Sequence, residues 1–108
     1  MSFNINETLA DMLKAVKTEV GDNWGEVKTV ANQFMNNRKT RLALIAELAI
    51  TGELSAEKII SRLEDEKLIF EAELHAIAVI SKAIAQKAAN AAIDVLYKAI
   101  DASISAIL

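Results

Sequence analysis

The chain has 108 residues, with 12 Lys and Arg against 15 Asp and Glu, no Cys, no Pro and three Gly. The absence of Cys excludes disulfides, thiolate metal sites and cysteine nucleophiles. A net charge of −3 excludes a strong electrostatic pull toward nucleic acid or an anionic membrane. The length sets a ceiling of one domain, 1–108, and 13 Ile, 11 Leu and 6 Val beside 19 Ala supply enough apolar material for one core.

From the N-terminus, Met1–Glu7 carries no basic stretch followed by an apolar one, so it does not read as a secretory signal. No stretch of about 18 uncharged apolar residues follows, and the expected compartment is the cytoplasm. Asn6 is a plausible helix cap. Beyond it Leu9, Leu13, Val16, Val20, Trp24, Val27, Ala31 and Phe34 recur in steps of three and four, a sustained helical seam. Two weak points interrupt 6–51. Gly21-Asp22-Asn23-Trp24-Gly25 looks like a turn, although the seam keeps its phase through it and an interior Gly costs only about 1 kcal/mol. The second lies at 36–40, within the polar run Asn36–Arg41, where the apolar stripe lapses. The segment is therefore one kinked helix or several.

Thr51-Gly52-Glu53-Leu54-Ser55 is the clearest boundary. Gly52 suits the left-handed position past a helix end, and Ser55 can cap the next helix with Glu57 in its first turn. Leu54 and Ile59 stand at staple spacing across that cap. After Ser55 no Gly or Pro occurs, so 56–108 reads as a single helix of about 80 Å, with a break near 88–90 as the only alternative. Nothing alternates like a strand. The fold class is all-α, a long helical hairpin of 6–51 and 56–108.

On the second helix Leu63, Phe70, Leu74, Ile77, Ile84, Ala88, Val95 and Ala99 share one face. Leu68, Val79, Ile93, Tyr97, Ile100 and Ile104 lie on the other side or at its edge, and Leu108 ends an apolar tail. A hairpin covers one face only. The second face is expected to be buried either by first-half helices wrapping round it or by self-association into a four-helix or larger bundle. Self-association is the leading expectation, with Leu68, Val79, Ile93, Tyr97, Ile100, Ile104 and Leu108 as its residues.

Candidate chemistry is sparse. Glu71 and His75 stand one helical turn apart, with Glu64 two turns before Glu71, and Glu47 is a conceivable further metal ligand. Bundle metal sites pair a carboxylate with His at i, i+3, a spacing absent here, so a surface ion pair is the plainer reading. A single His, no Cys and no strained nucleophile turn argue against hydrolase chemistry. Glu64-Asp65-Glu66 reads as a solvated acidic run, and Arg38, Lys39 and Arg41 as a polar segment between helices. Trp24 and Phe34 belong to the core, with Trp24 also placed to line a pocket. No cofactor is implied. The expected role is that of a non-enzymatic, self-associating helical interaction or structural protein. The alternatives are a protein that binds lipid or another apolar surface through 88–108, and a carboxylate–histidine metal bundle assembled across a dimer.

Overall fold

A computed structural model describes residues 3–77 and 79–107. All of its regular structure is helical: α1 (Ile5–Val20), a 3₁₀ turn (Gly21–Asn23), α2 (Trp24–Ile50), α3 (Ala56–His75) and α4 (Lys82–Ile107). Asn4, not Asn6, caps α1, its side chain accepting from the Glu7 N–H at 3.1 Å. The chain then reverses at Gly21, whose φ of 57° and ψ of −123° form a backbone state that side chains with a Cβ avoid. The unbroken seam across 21–25 thus belongs to two helices that turn the same stripe toward one core.

Of the two weak points, the one at 36–40 is not a break, and α2 runs through it. The 51–55 boundary is as the residues indicated. Gly52 adopts φ 80°, Glu53 N–H donates back to Leu48 O at 2.9 Å, and Ser55 Oγ accepts from the Lys58 N–H at 3.3 Å.

The single helix expected over 56–108 is corrected: α3 stops at His75, α4 starts at Lys82, and 88–90 lies inside α4. Ser81 marks the restart, its Oγ accepting from the Ile84 N–H at 3.1 Å. Ile77, Val79 and Ile80 just before it are β-branched and among the weaker helix formers. Tertiary burial decides the matter. Folding back buries Phe70 and Leu74 together with Leu96 and Ile100, whereas one straight helix would leave an apolar face in water.

Each helix runs antiparallel to the next. The start of α1 meets the end of α2 at Phe3, Ile5, Ala43 and Ile50, and the end of α4 at Thr8, Ala99 and Ser103. α1 packs on α2 and α4, α3 packs on α2 and α4, and α2 touches α4 across the diagonal. The body measures 43 × 23 × 20 Å. Met12, Val16, Val27, Phe34, Leu42, Phe70 and Leu96 fill the centre, with the Phe34 and Phe70 rings stacked at 4.2 Å. Ala85, Ala88, Ala89 and Ala92, all fully buried, let α4 approach its neighbours closely. No described helix is long and apolar enough to cross a membrane.

Candidate interaction surface

The carboxylates and the histidine considered for a metal do not converge. His75 ends α3 and is exposed, Glu71 is half-buried one turn earlier, and Glu64 is exposed with Lys67 Nζ at 2.7 Å. Glu47 lies on α2 beside the start of α1, near the 51–55 turn and at the opposite end of the molecule from His75. Among the described residues no group of three or more His, Asp or Glu is placed to hold a metal ion.

The acidic run is not uniformly solvated. Glu66 is 1% exposed, and its position follows from spacing: Leu63, Glu66, Phe70 and Leu74 fall on one helical stripe. Arg38 meets it with a two-pronged grip, Nε to Oε2 at 2.8 Å and Nη2 to Oε1 at 2.6 Å. Arg41 Nε adds a third bond to Oε1 at 2.9 Å. The Arg38–Arg41 segment is therefore an interhelical clamp joining α2 to α3. Hydrogen bonding to Glu66 raises the Arg38 pKa above its ordinary value, against the opposing effect of burial.

The residues expected to mediate self-association divide into groups. Ile93 and Ile100 are buried in the chain's own core, covered by α3 and its neighbours, and Ile104 is half-buried. Leu68, Val79 and Tyr97 remain exposed. Leu108 lies outside the described residues. Ile60, not singled out from sequence, joins the exposed set at 54%; the Ile59-Ile60 doublet was its signal, since a helix turns only one of two neighbours inward.

Ile60 and Tyr97 line an open depression of about 740 Å³ that crosses α4 from α3 toward α1. Leu63, Ile93 and Ala91 contribute apolar surface to it, while Glu19 of α1 with Glu64, Lys67, Lys87, Asn90 and Asp94 supply the polar lining. The local pairs are Lys67–Glu64 at 2.7 Å and Lys98–Asp94 at 2.9 Å. Antiparallel packing places Tyr97 beside the start of α3, where it shares a small cleft with Ala56 and Ile59. Trp24 is half-buried against the core. This surface offers shape, apolar area and charge, the ingredients of binding. In comparison with known proteins, no family model matches the chain, and no match is found among curated proteins or solved structures.

Proposed function

We propose that this chain is a non-enzymatic helical interaction protein that self-associates, with the outer α3/α4 face as its contact surface. The supporting observation is the grouping of Ile60 and Tyr97 around one depression, with Leu68 two turns along α3 from Ile60. Single exposed apolar residues need no explanation, but neighbouring ones on one face mark contact sites.

The lipid alternative has less support, because Ala88, Ala89, Ala92, Ile93, Leu96 and Ile100 of the 88–108 segment are already buried inside the chain. The metal alternative lacks a ligand cluster among the described residues. Light scattering after size exclusion, across a range of loading concentrations, tests the proposal. A mass above the 11.7 kDa of one chain that falls on dilution is the expected result. A mass of one chain at every concentration would defeat self-association.

A further inference from the structure

The three reversals that build the bundle are not encoded alike. The α1/α2 turn holds Gly21 at φ 57°, and the α2/α3 turn holds Gly52 at φ 80°. Neither state occurs in a continuing right-handed helix. The α3/α4 reversal, between His75 and Lys82, contains no Gly and no Pro. Its local devices are weaker: Ile77 N–H donates back to Leu74 O at 3.2 Å, and Ser81 caps α4. The turn also leaves Val79 44% exposed.

The buried faces of α3 and α4 keep one phase across this turn. Placed on a continuous helix at about 100° per residue, Leu63, Phe70, Leu74, Ala85, Ala88 and Ala92 fall within about 60° of one another. All six are buried. A helix running straight through 76–81 therefore presents the same apolar stripe as the two helices that turn.

We propose that the α3/α4 turn is a hinge for domain swapping. It opens to make 56–107 one helix of about 78 Å, and α4 seats on α1 and α3 of a second copy. Packing of α4 on α1 and α3 is kept and is now made between copies, so each bundle is completed by its partner's α4. Backbone groups that helix ends leave without intrahelical partners recover them along the opened helix. Tyr97 is level with Ile60 in one chain. Two opened helices in that antiparallel register have their twofold axis midway between those positions, which sets Ile77 of each copy level with Ile80 of the other. The closed chain keeps the Ser81 cap and a buried Ile80 and loses no freedom to association, so high chain concentration favours the swap. This mode does not use the outer α3/α4 face and stands apart from contact through it.

The test unfolds the full chain in urea, refolds it at about millimolar concentration and isolates any species of twice 11.7 kDa by size exclusion. A swapped dimer persists for hours after dilution, because α4 must leave a folded core, whereas copies touching through an exposed face separate quickly. The chain has no Cys, so Ile60→Cys with Tyr97→Cys supplies a unique pair for a short bis-maleimide linker. Linkage between copies is expected in the dimer, and linkage within one chain in the monomer. Val79→Ala with Ser81→Ala favours helix through the turn and should raise the dimer-to-monomer ratio by about tenfold or more. Val79→Gly should lower it by about threefold or more, with thermal melts confirming that each variant folds. A dimer linked only within chains and lost on dilution would overturn the swap and leave contact through the outer face standing. Refolding to monomer alone, in the wild type and in both variants, would overturn the swap and that contact together.

Discussion

Glu66 is the one buried charged side chain among the described residues, and its two arginine partners are unequal. Arg38 is 27% exposed and grips both carboxylate oxygens, whereas Arg41 is 56% exposed and supplies a single bond. Removing one member of a buried ion pair costs about 3–5 kcal/mol because the survivor is left uncompensated. Here both arginines can turn partly toward water, so Glu66→Ala is expected at the low end, about 3 kcal/mol. Arg38→Ala strands most of a buried carboxylate and is expected to cost nearly as much. Arg41→Ala removes an exposed partner and should cost under about 1 kcal/mol. Urea midpoints at unchanged slope read all three, and equal losses for the two arginines would refute the asymmetry. The pH dependence follows from the sign of the Arg38 shift. A folded-state pKa raised above the unfolded one stabilises fully below the unfolded value and is lost only as pH climbs through the folded value. Both lie in strong alkali, so the Arg38 contribution should be constant from about pH 6 to about pH 9. This clamp was only half legible. The basic residues were expected in a polar segment between helices, whereas they lie inside α2, and Glu66 was hidden by its acidic neighbours, although the Leu63–Glu66–Phe70 spacing carried the signal.

The helix boundaries show the same contest between local chemistry and packing. At 51–55 the positive-φ Gly and the Ser cap act within a few residues of each other, so the turn was legible. At 76–81 no breaker exists, and a local reading of Ala- and Leu-rich sequence extends the helix where burial of its second face ends it. At 36–40 the error has the opposite sign: a polar run resembled a break because its partner, Glu66, lies 25 and 28 positions away from Arg41 and Arg38. The glycines of the first turn allow a clean test. Gly21 has a positive φ and Gly25 lies within α2, and a Cβ at either would meet nothing within 4 Å. Any effect of Ala is therefore a backbone effect. Gly21→Ala forces an L-residue into a disfavoured conformation and should cost about 1–2 kcal/mol. Gly25→Ala places a better helix former at the start of α2 and should gain about 0.5–1 kcal/mol. In a chain of this size each kcal/mol moves the melting midpoint by roughly 4–8 °C, so the two variants should melt on opposite sides of wild type. Opposite signs identify a hairpin at 21–23. Matching signs would mean that α1 and α2 run on as one kinked helix.

At the scale of the whole molecule, the two-sided apolar character of the last helix has a different origin from the one the sequence suggested. The sequence leaves two ways to cover it, first-half helices or another chain, with self-association leading; in the structure α1 covers one side of α4 and α3 the other. The apolar C-terminal segment is accordingly part of the core: Ile100 is 2% exposed, and Ile104 packs against the same cluster. Ala99 and Ser103 line the seam where α4 meets Thr8 at the start of α1. Truncation after Lys98 should therefore damage the opposite end of the chain in sequence. Burying one Ile contributes about 1.5–3 kcal/mol, and the loss of Ile100 and Ile104 also uncovers the apolar surface that they shield on α1 and α3. The combined loss, about 5 kcal/mol, is comparable to the lower bound of about 5 kcal/mol for the total stability of a domain. The truncated chain is expected either to melt roughly 20 °C or more below the full chain or to lose its cooperative transition. Limited proteolysis should then cut within 5–20 before any other helix, because α1 loses the larger of its two partners. A melt within a few degrees of the full chain, with α1 still protected, would mean that the tail is dispensable to this core and that its apolar residues serve a contact outside the chain.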